Sequence, residues 1–200
     1  MTRHYVITGL SGTMEGRKFI VKEQIYVDRL IELTGDNVVN VVKEALSCLI
    51  NIAGDEPGVR RMLDSSQSAN FCLTLLENVI HKDCGFADPI AMLLSNMTRT
   101  ESGVKVYADI LSDSSASVSV DKLMKVLCSV NHNPNALLDF LAPFLANLSR
   151  VEIVRRYFLN PEAQALKQLL PFTQHPSDIR RQAASTIIKN ICFETGRYAV

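Results

Sequence analysis

Apolar residues along this chain form a helical stripe that returns five times and closes each time on the same mark. Ala45-Leu46-Ser47-Cys48-Leu49-Ile50-Asn51-Ile52-Ala53 is such a stripe, ending in Asn, an apolar residue and a small residue. Ile90 to Thr98, Leu141 to Ser149 and Ala184 to Cys192 repeat it around Asn96, Asn147 and Asn190. A degenerate copy, Tyr5 to Ser11, opens the chain with Gly9 in the Asn position. Gly16, Gly58 and Gly103 each stand seven residues after the mark; Val154 takes that place after Asn147, and Gly196 comes one residue early after Asn190. Basic or apolar residues follow, as in Arg17-Lys18-Phe19, Arg60-Arg61-Met62, Lys105-Val106-Tyr107, Arg155-Arg156-Tyr157 and Arg197-Tyr198.

The marks at 9, 51, 96, 147 and 190 are separated by 42, 45, 51 and 43 residues. HEAT and armadillo units run about 40–47 residues and tetratricopeptide units about 34. The longest interval holds Ser112-Asp113-Ser114-Ser115-Ala116-Ser117, a polar insertion that reads as a mobile surface loop.

Between the marks the spacing is again helical. Gln24 to Leu33, Ala69 to Ile80, Leu123 to Val130 and Leu166 to Phe172 carry apolar residues three and four apart. Gly35-Asp36-Asn37, Asp83-Cys84-Gly85, Asn133-Pro134-Asn135 and His175-Pro176-Ser177-Asp178 punctuate them, with Asn135 and Ser177 placed as N-caps. Pro143 falls inside an expected helix and should kink it or loosen one turn. Each unit thus has a short, a medium and a long marked helix, which favours armadillo over two-helix HEAT.

The expected fold is all-α: an armadillo/HEAT-like right-handed superhelical solenoid of about four three-helix repeats in a single domain, 1–200. Its units are 1–13 (partial), 14–54, 55–100, 101–150, 151–194 and the start of another at 195–200.

Charge and cysteine usage narrow the partners. Lys plus Arg (21) equals Asp plus Glu (21), so there is no general attraction to a phosphate backbone or an anionic membrane. Five cysteines form no C-x-x-C pair, and four lie in apolar runs, as reduced buried thiols do. No segment reads as a signal peptide or a membrane span.

Stacked units align their third helices along a concave side. Residues four apart share a helix face. Asn51 then sits beside Ser47 and Lys43, Asn96 beside Met92 and Asp88, Asn147 beside Pro143 and Asp139, and Asn190 beside Thr186 and Gln182. Arg99 and Arg150, three residues after an Asn, extend the same face. Asn is a poor interior helix residue, so four at one register need a reason. One reading is a ladder of amides that pairs with the backbone of an extended peptide. The other is that each Asn bonds a neighbouring helix end or the next unit's turn. Arg99 and Arg150 are placed to receive acidic groups of a client, whereas Arg60-Arg61, Arg155-Arg156 and Arg180-Arg181 read as solvated faces or inter-unit ion pairs.

Three blocks narrow the family. Leu93-Leu94-Ser95-Asn96-Met97-Thr98-Arg99 resembles the L-L-S-N-L-[ST]-[RK] motif of the Hgh-one family. Phe144 to Arg150 followed by Arg156-Tyr157-Phe158 resembles its second signature. Ile179-Arg180-Arg181 through Ser185 to Glu194 is similar to its R-R-x-G-x-x-x-x-I-K-N-C-C-F-[ED] block, with Ala183 where Gly is frequent. The resemblance implies an armadillo-like cochaperone of the eukaryotic cytoplasm, or nucleus, that helps fold translation elongation factor two with the chaperonin TRiC. Family members continue past the last block, so the chain reads as a fragment or truncated form.

His81 and Cys84 have H-x-x-C spacing without a second pair, and His4, His132 and His175 stand apart. No G-x-S-x-G, P-loop or dinucleotide fingerprint occurs. Asn96-Met97-Thr98 and Asn147-Leu148-Ser149 match the glycosylation pattern by coincidence with the mark. The expectation is therefore a non-catalytic protein-binding scaffold without cofactor, metal, nucleic acid, membrane or small-molecule substrate. The alternative is a general armadillo peptide-groove receptor of nuclear transport or signalling, a class that favours tryptophans, of which this chain has none.

Overall fold

Apolar stripes wind into helices here, and glycine, proline and capping residues end them. A computed structural model describes the backbone of residues 4–193 and the side chains of residues 8–193. Expectations on the side chains of Tyr5, Val6 and Ile7, and on Glu194, Gly196, Arg197 and Tyr198, lie outside the described residues. Among the described residues the order is α1 (His4–Ser11), α2 (Met14–Lys22), α3 (Gln24–Leu33), α4 (Val39–Ile52), α5 (Glu56–Asp64), α6 (Ser68–Val79) and α7 (Ala87–Met97). It continues with α8 (Glu101–Ser112), α9 (Val120–Cys128), α10 (Leu141–Leu148), α11 (Glu152–Leu159), α12 (Ala165–Leu169), a 3-10 helix (Leu170–Gln174) and α13 (Asp178–Cys192), with no strand.

The fold is an all-α armadillo-like solenoid. Three helices recur four times, as α2–α4, α5–α7, α8–α10 and α11–α13, and α1 stands in front as a third helix on its own. These four triplets are units 1 to 4 below. The third helices pack in sequence, α1 on α4, α4 on α7, α7 on α10 and α10 on α13. The first helices form a second row, α2 on α5, α5 on α8 and α8 on α11. Each third helix turns its stripe into the shared core: Leu49 and Ile52, Leu93, Leu94 and Met97, then Phe144, Leu145 and Leu148 are fully buried. Burying one such side chain contributes about 1.5–3 kcal/mol.

Glycine seven residues after the mark has a packing cause. A Cβ on Gly16, Gly58 or Gly103 would lie 1.9, 2.1 or 2.0 Å from the carbonyl oxygen of Leu10, Ile52 or Met97, the residue just after each mark. The first helix of these units therefore rests on the end of the preceding third helix. Thr13 and Thr100 complete that contact: each hydroxyl accepts from the glycine N–H and donates to the same Leu10 or Met97 carbonyl. At the fourth unit the equivalent residue, Val154, is buried.

Several local expectations change. Pro143 does not kink a helix, because α10 begins only at Leu141 and Pro143 lies in its first turn, where a missing N–H costs nothing. Asn135 is not an N-cap; Phe140 holds that position for α10, and Asn135 lies in the preceding loop. Ser177 is the N-cap residue of α13, yet its hydroxyl donates to Asp139 instead of capping. Pro171 converts the end of the fourth unit's second helix into a 3-10 turn. The long interval between Asn96 and Asn147 is shared by two loops, 113–119 and 129–140. The serine-rich one is tied at both ends: Asp113 accepts from the Ser115 N–H and hydroxyl, and Ser117 donates to Glu77 at 2.5 Å.

Candidate functional site

Because the third helices stack in register, the four marked asparagines come into one row, each half-buried. Each reaches back to the preceding third helix. Asn51 Nδ2 donates to Ser11 Oγ at 3.0 Å and Asn96 Nδ2 to the Ile50 carbonyl at 3.2 Å. Asn147 Nδ2 lies 3.0 Å from the Ser95 carbonyl and 3.2 Å from Thr98 Oγ1, and Asn190 Nδ2 donates to Ser149 Oγ at 2.8 Å. Chemistry fixes the orientation of each amide. Backbone carbonyls only accept, and Ser11 and Ser149 already donate their hydroxyl protons to Thr8 and Ala146 carbonyls.

The acceptors follow a rule that the sequence reading missed. They are the hydroxyl two residues after the preceding mark (Ser11, Thr98, Ser149), or the carbonyl one residue before it (Ile50, Ser95). Where Ala53 stands in the hydroxyl position, Asn96 takes the carbonyl alone. The signal was present as the N-x-[ST] spacing at Asn96 and Asn147. Thr98 and Ser149 are fully buried, so this spacing serves the joint between units.

The second reading of the asparagines, a bond to a neighbouring helix end, therefore describes their donors. Their Oδ1 atoms accept no hydrogen bond from the described residues, and none of them is buried without a partner. The row thus keeps a free carbonyl at each rung.

Other expected site residues divide into two groups. Ser47, Met92 and Thr186 lie half-buried one turn before their asparagines, with Lys43 exposed one turn further on. Arg99 is exposed and has no partner among the described residues. Asp88, Asp139 and Arg150 are instead engaged in the joints. Asp88 accepts the backbone N–H groups of Leu137 and Leu138 at 3.1 and 2.6 Å, holding Leu138 at φ 55°. Asp139 accepts from Arg180 Nε at 2.7 Å and from Ser177 at 2.9 Å. Arg180 also donates to the Leu127 and Leu137 carbonyls and stands 5.6 Å from the Phe172 ring centre. It is the hub between units 3 and 4 rather than part of a solvated face. Arg150 donates to the Asn147 and Thr98 carbonyls, capping helix ends whose dipoles favour a cation.

His132 and Asn133 complete the joint between units 2 and 3, bonding the Ile80 and Cys84 carbonyls at 2.8 Å each. Burial pushes the Cys48, Cys84 and Cys128 thiols up, and that of Cys72 up to about 11. Arg180 pulls the Cys128 thiol back by less than burial raises it. Burial also raises the Tyr107 and Tyr157 phenols, the latter with help from the Asp121 carboxylate. Thiols raised in this way are poor nucleophiles. Among the described residues no three His, Cys, Asp or Glu side chains are grouped to hold a metal. Among the described residues no helix is long and apolar enough to cross a membrane.

Comparison with known proteins agrees with this architecture. The family described as "Domain of unknown function (DUF383)" matches residues 78–199. The chain is similar to the Protein HGH1 homolog of Danio rerio, 28% identical over 189 residues that cover 94% of this chain and 49% of that protein. It is similar to the Protein HGH1 homolog of Drosophila pseudoobscura pseudoobscura, 30% identical over 200 residues, covering 97% and 54%. The chain spans about half the length of the curated relatives it matches. Among solved structures it is similar to computationally designed armadillo repeat proteins for modular peptide recognition, with a TM-score of 0.67 at 18% identity over 94% of this chain and 74% of that one. At that identity the likeness concerns the fold alone.

Proposed function

The chain belongs to the HGH1 family, through its DUF383 region, and on that premise we propose that it is a non-catalytic scaffold that holds an extended segment of another protein along its third-helix row. One observation carries this reading: four asparagines stand in one row, each anchored by its N–H to the unit before and each with a carbonyl left free. A hydrogen bond to such a group contributes only about 0.5–1.5 kcal/mol net. Repeated along a row, such bonds set register while neighbouring side chains select sequence. Lys43, Ser47, Met92, Arg99 and Thr186 flank the row and are free for that selection. Asp88, Asp139 and Arg150 serve it indirectly, by fixing the spacing between units.

The client in this proposal is translation elongation factor two, presented together with the chaperonin TRiC in the cytoplasm. Its support is the match of the Leu93–Arg99, Phe144–Arg150 and Ile179–Glu194 blocks to the family motifs. Purification of the tagged chain followed by mass spectrometry tests it. Enrichment of elongation factor two and chaperonin subunits over a control supports the proposal. Recovery of importins or their cargo in their place overturns it in favour of a general peptide receptor. An Arg99→Ala variant should hold client less tightly and with a flatter salt dependence, at unchanged stability. Unchanged client binding would remove Arg99 from the site.

A further inference from the structure

Across the third-helix row, units 2 and 3 share a chemistry that units 1 and 4 lack. Residues three, four and seven positions from the mark share its helix face. In units 2 and 3 that face carries Pro89 and Phe140 seven before the mark, Met92 and Pro143 four before it, and Arg99 and Arg150 three after it. Unit 1 has Glu44, Ser47 and Gly54 in those places, and unit 4 has Ala183, Thr186 and Phe193. Asn147 reaches Ser95 and Thr98, on either side of Asn96, so α7 and α10 run parallel and in register. Like positions of the two units therefore lie side by side. They make an apolar wall, an amide floor and a basic wall, in that order across the groove. The four apolar side chains are half-buried and the two arginines exposed.

We propose that this middle stretch takes an extended segment of a partner protein in which apolar and acidic residues alternate. The proposal rests on the scaffold reading above and adds the chemistry of the segment. The floor offers acceptors: Asn147 Nδ2 is spent on the preceding unit, while the Oδ1 atoms of Asn96 and Asn147 accept nothing from the described residues. An extended chain supplies N–H groups to such a floor, whereas a helix keeps its own paired. With its N–H groups directed at the floor, successive side chains of the segment point to opposite walls. One set meets Met92 and Pro143, where a flexible thioether adapts to apolar groups of different shape. The other set meets Arg99, whose guanidinium has no partner among the described residues. Arg150 donates to two carbonyls, which leaves its charge in place.

The surrounding charges set the sign of the partner. The carboxylates on these two helices, Asp88 and Asp139, stand eight before the mark, about 16 Å along the helix from the arginines. That exceeds the roughly 8–10 Å over which exposed charges act at physiological salt. Both are also taken up by the joints, Asp88 by loop N–H groups and Asp139 by Arg180. Glu101 lies two residues past Arg99 without an ion pair to it, and Glu152 pairs with Arg156. A carboxylate on the segment is therefore drawn to the basic wall, and an ammonium is repelled. Two units at about 8–10 Å each accommodate about six extended residues.

Fluorescence anisotropy with labelled synthetic octapeptides tests this. Alternating leucine and glutamate should bind about tenfold more tightly than alternating leucine and lysine, or than the same leucines and glutamates in two blocks. Arg99→Glu should weaken the leucine–glutamate peptide about tenfold and strengthen the leucine–lysine one. Arg99→Lys should retain most of the binding, and melting should be unchanged in both variants. Arg60→Glu, which changes net charge equally but on the first-helix row, should leave binding as it is. Equal binding of alternating and block peptides, or indifference to Arg99→Glu, overturns the proposal. If such binding still falls with Asn96→Ala and Asn147→Ala, the scaffold reading survives that loss. Binding of none of the peptides at millimolar concentration also overturns the proposal, and leaves the scaffold reading to the client purification.

Discussion

Where each first helix meets the end of the preceding third helix, the joint into unit 3 closes backbone against backbone, whereas the joint into unit 4 closes with side chains. At the first of these, Gly103 lets α8 settle on the Met97 carbonyl, with Thr100 bridging the two. At the second, Val154 fills the equivalent position, and arginines reach the exposed helix ends. Arg155 donates to the Ser149 and Arg150 carbonyls, and Arg180 holds Asp139 across the gap. The first joint of the chain has both devices, since Gly16 meets Leu10 while Arg17 donates to the Ser11 and Gly12 carbonyls. The contrast shows two ways to close a helix end. A glycine contact has no slack and tolerates no added atom; an arginine contact tolerates volume but depends on its donors.

The largest effect should come from adding one carbon to the glycine joint. Gly103→Ala places a Cβ about 2.0 Å from a backbone oxygen that cannot rotate away, so urea unfolding should show a loss of about 3 kcal/mol. Val154→Ala, which removes two buried methyl groups, should cost about 1–2 kcal/mol. If Gly103→Ala costs no more than Val154→Ala, the distinction between the joints is wrong.

Next in size is the side-chain joint. Arg180→Ala strips Asp139, Leu127 and Leu137 of a donor; with both partners of the ion pair partly exposed, the expected loss is about 2 kcal/mol, and high salt should narrow the gap to wild type. The same salt series should leave the effect of Gly103→Ala unchanged.

Below that stands the asparagine row, common to both joints. Asn147→Ala should cost about 1 kcal/mol, and Asn96→Ala the same or slightly less, because Asn147 has two acceptors within reach and Asn96 one. Equal, negligible losses at both sites would mean that the row does not hold the units together. The smallest effect belongs to the loop that serves both joints. Asn131 is exposed at φ 57°, so Asn131→Gly should change thermal unfolding by no more than about 0.5 kcal/mol.

Legibility of the fold and of the site differed for a reason that these joints display. The helices followed from local pattern, because an apolar residue every three or four positions can bury only as a helix, and proline, glycine and caps act on their immediate neighbours. The second helix of unit 4 shows the same logic in detail, since Pro171 alone explains its 3-10 end. The site was less legible. Asp88, Met92 and Asn96 share one face by spacing, yet Asp88 is taken by loop 129–140, whose length is peculiar to one unit. Arg99 and Arg150 hold the same register, yet only Arg150 is drawn onto a helix end.

From sequence alone came the unit period, the helical class, the marked row and the family blocks, since each depends on residues close together along the chain. Only the tertiary structure decided which polar atoms in that row remain free. Whether a carboxylate, guanidinium or amide faces solvent depends on what the next unit sets opposite it, and that partner lies some forty to fifty residues away in sequence.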